Sequence, residues 1–150
     1  MKRALLSLSK TFQVTHKRAG EPTDFEGKIN RNEKIHTIRK DDVGFWEKRF
    51  VKIIEGAMCL VLKEWTGRPY NSVQRDLTQR TIEDGIGLQK IEMIYSGGAI
   101  IMAKVDDRPI DPAIIANNDG LSPEDFAEWF FHGKDGSFSG KVIHFTKFRY

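Results

Sequence analysis

The 150-residue sequence has a single cysteine, no long apolar run and no internal repeat, and these absences exclude several classes of protein. Cys59 cannot form an internal disulfide, and the apolar segment 57–62 around it predicts a core position. No run approaches the roughly 18 apolar residues of a membrane-spanning helix. Ser9 and Lys10 interrupt the apolar N-terminal segment too early for a secretion signal, so we expect a cytoplasmic protein without membrane contact.

The usual signatures of metal, nucleotide and hydrolase sites are also missing. The four histidines lack the paired or cysteine-flanked spacing of a zinc site. Gly85-Ile86-Gly87 lacks the third glycine of a dinucleotide fingerprint, and neither a phosphate-loop lysine nor a Gly-x-Ser-x-Gly motif is present. The sequence therefore predicts no metal and no cofactor, and it gives no support to a conventional hydrolase triad.

The composition is that of one globular domain, which we predict over residues 1–150. Hydrophobic residues make up 39% of the chain and charged residues 30%, typical of a globular, water-soluble protein. The net charge is only +3, but residues 1–50 hold 12 Lys or Arg against 7 Asp or Glu. A basic first third suits a polyanionic partner, although exposed Lys and Arg also serve simply to solvate a surface.

Hydrophobic patterning predicts short elements in the order strand, helix, strand, helix, strand, hairpin, helix, strand. The predicted strands outside the hairpin cover 4–14, 34–39, 57–65 and 141–148. The predicted helices cover 24–31, 45–54 and a segment after Ser122, and the polar stretch 70–84 is predicted as a loop. This order lacks regular β-α alternation, so we expect an α+β fold around a small, mostly antiparallel sheet or barrel.

Local turn and cap signals refine these boundaries. Gly97 and Gly98 mark the hairpin turn. Thr23, with Glu26 three residues later, has the form of a capping box. Ser122 followed by a proline offers an N-cap and a favourable first helical residue. We therefore expect helices to begin after Thr23 and after Ser122.

The most informative segment is Glu33–Lys40, in which cationic residues are interleaved with two isoleucines. The isoleucines can anchor the segment in a core while the polar side chains face a cleft. Such a set suits a phosphate or a nucleobase, and it consists of Lys34, His36, Arg39 and Lys40. Alternatively, Lys34 is a solvated lysine at a strand edge and Thr37 is no more than a β-forming residue.

The run Lys34-Ile35-His36-Thr37-Ile38-Arg39 resembles the Lys-x-x-Thr-Ile-Arg signature of ASCH domains, a branch of the PUA-like superfamily. Three further features agree in order: a short preceding helix, the Trp65-Thr66-Gly67 turn, and the stretch 116–122 before a late helix. The similarity extends to uncharacterised bacterial and phage ASCH proteins and, more distantly, to 4-acetylcytidine amidohydrolases. It implies a PUA-like, mostly antiparallel β pseudobarrel with a few short flanking helices.

This resemblance implies a module that binds RNA or a nucleotide-like ligand in a cleft beside the signature. His36, Arg39 and Lys40 would contribute to the electrostatics of that cleft. Trp65, Arg68 and Tyr70 would form its rim, because aromatic residues interleaved with cations suit single-stranded RNA. Trp46 and Trp129 are predicted as core residues.

The alternative is an amidohydrolase that removes acyl groups from acylated cytidine-type nucleosides. By position, its base, nucleophile and acid partner fall on Lys34, Thr37 and Asp119. A desolvated lysine with a lowered pKa can take the proton of a threonine hydroxyl. However, Asp119 is shorter than the glutamate of that subgroup, and residues three apart on a regular strand face opposite sides. A partner-binding domain without an active cleft is the third possibility.

Overall fold

The computed structural model describes all 150 residues and shows an α+β fold of eight strands and four short helices. The strands are β1 (Lys2–Leu8), β2 (His36–Lys40), β3 (Met58–Trp65), β4 (Gln74–Arg80), β5 (Gly87–Ser96), β6 (Ala99–Val105), β7 (Arg108–Pro109) and β8 (Gly136–His144). The helices are α1 (Phe25–Asn30), α2 (Phe45–Ile54), α3 (Pro112–Asn118) and α4 (Pro123–Phe131), with a 3₁₀ turn at Ile82–Asp84.

The strands form two sheets, and antiparallel pairing dominates both. The first sheet has the order β1-β3-β4 and the second has the order β2-β8-β5-β6-β7. Only β1 and β3 run parallel, in a register that places Ala4 opposite Leu60. A parallel pair needs a long crossover, and here the crossover contains α1, β2 and α2. The predicted α+β class with mostly antiparallel strands is confirmed.

One hydrophobic core of 26 buried residues draws on both sheets and all four helices. Leu6 and Leu60 enter it from the first sheet, Ile91 enters it from the second, and Phe126 enters it from α4. Cys59 is free and buried, as predicted. The sheets are therefore joined by shared apolar burial, which supplies most of the stabilisation in a domain of this size.

The elements with strong local signals lie where the sequence places them. Helix α2 occupies residues 45–54 and buries Trp46, Phe50 and Ile53. The hairpin between β5 and β6 turns at Gly97 and Gly98, both of which have a positive φ that glycine adopts without strain. These predictions are confirmed.

Three predicted segments are wrong. The first strand ends at Leu8, and residues 9–22 form a loop with one isolated bridge. The last strand is Gly136–His144, because small polar residues at its start pair with β5 without an apolar pattern. The segment 70–84 contains β4, an outer strand in which no residue is fully buried and no hydrophobic alternation is present.

The predicted capping box at Thr23 is also wrong. Asp24 is the N-cap of α1, with a left-handed backbone and no side-chain cap bond. The Thr23 hydroxyl instead donates to the carbonyls of Ser9, at 2.8 Å, and Lys10, at 3.1 Å. Thr23 therefore ties the start of α1 to the loop that follows β1.

Helices α3 and α4 bracket the turn that carries Asp119. Helix α3 is absent from the predicted order, because its seven residues are too few to show apolar periodicity. It begins at Pro112, and Asp111 caps it by accepting a hydrogen bond from the Ala113 N–H at 2.9 Å. The predicted cap of α4 is confirmed, since the Asp125 N–H donates to the Ser122 hydroxyl at 3.1 Å.

Strands β2 and β8 leave no room for a side chain at Gly140, which pairs with Lys40. A Cβ there would overlap the main-chain carbonyl of Arg39. We expect Gly140→Ala to lower the free energy of unfolding by about 1–3 kcal/mol, the usual cost of overpacking. Gly136→Ala, on the same strand, is the matched control, since a Cβ there meets nothing within 4 Å. Equal thermal unfolding temperatures for the two variants would contradict this packing.

Candidate ligand-binding cavity

A cavity of about 1300 Å³ lies where the two sheets approach α1 and α4. Its walls come from the end of β1 and the following loop, from β2, from the turn 65–70 after β3, and from α4. Eight of the nine residues that the sequence singles out line it: Lys34, Thr37, Arg39, Lys40, Trp65, Arg68, Tyr70 and Asp119. The cavity therefore brings together three parts of the sequence: residues 34–40, residues 65–70 and Asp119.

The cavity floor contains a buried ion pair between Lys34 and Asp119. The Lys34 Nζ donates to the main-chain carbonyl of Asp119 at 2.7 Å and to its Oδ1 at 3.2 Å. The two side chains are only 1% and 6% exposed. The Lys34 Nζ also lies 4.3 Å from the centroid of the Phe25 ring, a cation–π contact.

Lys34 shares the cavity with Thr37 because it lies outside the regular strand. Strand β2 begins at His36, and Lys34 makes only an isolated bridge to Asp119. The chain therefore does not keep strict strand alternation between Lys34 and Thr37. This local departure places both residues on the cavity wall despite their spacing of three.

Burial and the charge of the partner have opposite effects on the pKa of each residue in this pair. Burial lowers the pKa of Lys34 to about 8, although the charge of Asp119 acts against that shift. Burial alone would raise the pKa of Asp119, but the charge of Lys34 and the hydrogen bond from His36 hold it below its usual value. Near pH 7 the pair is thus mostly ionised, with a lysine that loses its proton more easily than a solvated one.

His36, the ninth residue singled out from the sequence, does not line the cavity. It is completely buried behind Asp119. Its Nδ1 lies 3.2 Å from Asp119 Oδ1, and its Nε2 lies 2.6 Å from the Tyr150 hydroxyl. Instead of facing a ligand, His36 supports the carboxylate of Asp119.

The hydrogen bonds around His36 determine which of its ring nitrogens carries the proton. The Asn118 Nδ2 donates to the Tyr150 oxygen at 3.1 Å, so the Tyr150 hydroxyl is free to donate to His36 Nε2. His36 then carries its proton on Nδ1 and donates to Asp119. Burial lowers the pKa of His36, which keeps the ring neutral. The role of Tyr150 has no signal in the sequence, because the contact joins residues 114 positions apart.

Thr37 is linked to Arg39 rather than to the ion pair. The Thr37 Oγ1 accepts a hydrogen bond from Arg39 Nη1 at 2.9 Å. No hydrogen bond joins Thr37 to Lys34 or to Asp119. Of the three residues predicted to be catalytic, two are therefore in contact and the third lies on the same wall.

The rim carries exposed aromatic and basic side chains. The rings of Trp65 and Tyr70 lie 5.2 Å apart, and Tyr70 is 88% exposed. Arg68 is exposed and makes no ion pair, whereas Lys40 lies 4.0 Å from Asp42. This rim presents flat apolar faces beside positive charge.

Further aromatic side chains line the cavity without having been predicted as site residues. They are Phe12, Phe25, Trp129, Phe130 and Phe138. The sequence pattern predicts such residues as core, and Trp129 does pack against Phe12 and Phe25. Their second role follows from the tertiary fold, which brings parts of α1, α4, β8 and the loop after β1 to one cavity. Trp46, by contrast, is buried in the core as predicted.

Comparison of the chain with family models, with curated proteins and with solved structures finds no match. No three His, Cys, Asp or Glu side chains are grouped so that they could hold a metal ion. None of the helices combines the length and apolarity that crossing a bilayer requires. The residues of the cavity are therefore the basis on which we propose a function.

A second buried histidine, His144, lies next to His36, with ring centroids 5.6 Å apart. Its Nε2 lies 2.9 Å from Gln89 Oε1, and its Nδ1 has no partner. Because the amide oxygen of Gln89 can only accept, the proton of neutral His144 sits on Nε2. Burial lowers the pKa of His144 to about 3.

We expect the free energy of unfolding to fall as the pH drops below about 6.5, the ordinary pKa of histidine. The unfolded chain takes up protons there, whereas folded His36 and His144 resist protonation. Each histidine contributes a slope of about 1.4 kcal/mol per pH unit until its folded pKa is reached. Urea unfolding between pH 7 and pH 5 measures this slope, and His144→Gln should make it shallower. Identical slopes for the variant and the original chain would count against a neutral, buried His144.

Proposed function

We propose that this protein is an ASCH-type, PUA-like module that binds single-stranded RNA or a nucleotide-like ligand in the cavity. The supporting observation is the charge of the cavity wall. It includes one carboxylate, Asp119, which already pairs with Lys34. Five cations share that wall: Lys10, Lys34, Arg39, Lys40 and Arg68. A concave surface with such a surplus concentrates polyanions, since its low-dielectric walls focus the field.

The aromatic residues support nucleic acid over a simple anion. Trp65 and Tyr70 offer adjacent ring faces at the rim, and bases stack on such faces with little regard to sequence. The volume of about 1300 Å³ exceeds the 300–1000 Å³ typical of small-molecule pockets, which supports a ligand as large as a nucleotide or a short oligonucleotide. Two sheets around one shared core support the PUA-like pseudobarrel that forms part of this proposal.

Binding of a fluorescently labelled, ten-nucleotide single-stranded RNA tests the proposal. We expect affinity to fall as salt rises, because bound phosphates release counterions. Tyr70→Ala should weaken binding roughly 5- to 100-fold by removing a stacking face. Arg68→Gln should weaken binding and reduce the salt slope by about 1. Fluorescence anisotropy over a range of salt concentrations measures all three effects.

Lys52→Gln is the matched control for charge, since Lys52 is exposed on α2 and does not line the cavity. It should leave affinity within about twofold of the original chain. An RNA affinity that does not change with salt concentration would argue against a cationic cavity as the site. A loss of affinity in Lys52→Gln as large as that in Arg68→Gln would also argue against it.

We propose deacylation of acylated cytidines as a second candidate function, because Lys34 combines a lowered pKa with a carboxylate contact. In this reaction neutral Lys34 takes the proton of Thr37, whose oxygen attacks the acyl carbon. The C–N bond breaks, and the departing amine receives that proton. Water then hydrolyses the acyl-threonine to a carboxylic acid and restores the hydroxyl. Substrate binding must first bring Thr37 within reach of Lys34.

Incubation with 4-acetylcytidine and chromatographic detection of cytidine tests this candidate. The rate should rise with pH through about 8, because the fraction of neutral Lys34 rises there. Lys34→Ala and Thr37→Val should each reduce the rate at least about 100-fold, the usual scale for a general base or a nucleophile. Thr37→Ser should keep part of the activity. Cytidine release no faster than in Lys34→Ala would refute deacylation while leaving the binding proposal intact.

A further inference from the structure

Arg39 differs from the other cations of the cavity wall. Lys10, Lys40 and Arg68 are exposed to solvent, and Lys34 is paired with Asp119. Arg39 is partly buried, yet no carboxylate lies within ion-pair distance of it. A partly desolvated charge without a counterion is unfavourable, and it therefore points to an anion supplied from outside the chain.

The protein holds the guanidinium of Arg39 in a fixed position. Its Nη1 donates to Thr37 Oγ1 and to the Ile38 carbonyl, both at 2.9 Å. Its Nη2 donates to the Ser7 carbonyl at 2.7 Å. Because Ser7 belongs to β1 and Arg39 belongs to β2, the side chain spans the two sheets. This fixation removes most of the entropy cost of ordering an arginine around a ligand.

Two N–H groups of Arg39 remain available. A guanidinium has five N–H donors, and the three contacts above leave the Nε–H and one Nη2 hydrogen. The Nε atom has no partner in the chain, and it is not among the unpaired polar atoms that are fully buried, so it keeps some exposure to solvent. The free Nε–H, with the guanidinium charge beside it, suits an oxygen of a phosphate group.

Thr37 lies on the other side of the guanidinium. Its oxygen accepts from Nη1, whereas the free Nε–H points away from Nη1. Thr37 therefore positions Arg39 and leaves the Nε–H to the ligand.

We propose that Arg39, held in position by Thr37 and the Ser7 carbonyl, forms a subsite for one phosphate group, so that the ligand is a nucleotide rather than a free nucleoside. The identification of the ligand as a nucleotide rests on the proposed function, whereas the phosphate contact with Arg39 does not. The phosphate is either the terminal group of a mononucleotide or an internal group of a chain.

Nuclear magnetic resonance of the ¹⁵N-labelled protein tests the phosphate contact directly. Titration with inorganic phosphate should shift the Arg39 Nε–H signal, whereas chloride at the same ionic strength should not. Arg39→Lys assigns the signal by its loss. A signal that phosphate moves no further than chloride would overturn the subsite, and this measurement needs no variant to be stable.

Calorimetric titration with cytidine and cytidine 5′-monophosphate tests the preference for a phosphorylated ligand. The nucleotide should bind at least about tenfold more tightly, as expected for a charge-assisted hydrogen bond. Arg39→Gln should abolish that difference, Arg39→Lys should retain part of it, and Lys52→Gln should leave it unchanged. Equal binding of the two ligands, or equal losses in Arg39→Gln and Lys52→Gln, would overturn the inference.

The two proposals fail in different ways. If phosphate shifts the Arg39 signal but single-stranded RNA does not bind, the proposed function is wrong and the phosphate subsite stands. If RNA binds with the expected salt dependence and Arg39→Gln does not weaken it, the subsite is wrong and the proposed function stands. Thermal unfolding of each variant shows whether a loss of binding reflects a loss of fold, in which case the signal titration decides.

Discussion

The buried ion pair between Lys34 and Asp119 is the contact on which the geometry of the cavity depends. It joins the start of β2 to the turn after α3, across 85 residues of sequence. Taking both charges out of water is costly, and the pair persists because main-chain and His36 hydrogen bonds satisfy it. Removing one partner from such a pair typically costs about 3–5 kcal/mol. The pair thereby ties the segment before β2 to the turn between α3 and α4 at the cavity.

The same pair determines the charge that a ligand meets. Asp119 is the only carboxylate of the cavity wall, and it makes no ion pair with Lys10, Arg39, Lys40 or Arg68. His36 and Tyr150 hold it in that position from the far side of the cavity wall. Arg39 consequently keeps an unbalanced charge that is already oriented by Ser7 and Thr37. Stability and ligand chemistry thus arise from one network.

The features that the sequence predicts correctly are governed by local interactions. Helix α2, the hairpin turn and the Ser122 cap depend on residues within a few positions of each other. The sequence does not predict strand β4, because this outer strand has no buried face that would require alternating apolar residues. The burial of Lys34 depends on a partner 85 residues away, and the position of His36 depends on Tyr150. Position in the signature segment alone therefore could not separate His36 from the cations that face the cavity.

Cross-linking shows most directly whether the cavity is the nucleic-acid site. Single-stranded RNA carrying 4-thiouridine, irradiated in complex with the protein and analysed by mass spectrometry, identifies the residues that touch the bases. The account predicts adducts on the rim turn 65–70, with Trp65 and Tyr70 foremost, and on the aromatic residues of α4 that line the cavity. Adducts concentrated on the outer face of α2 or on the strands far from the cavity would contradict it.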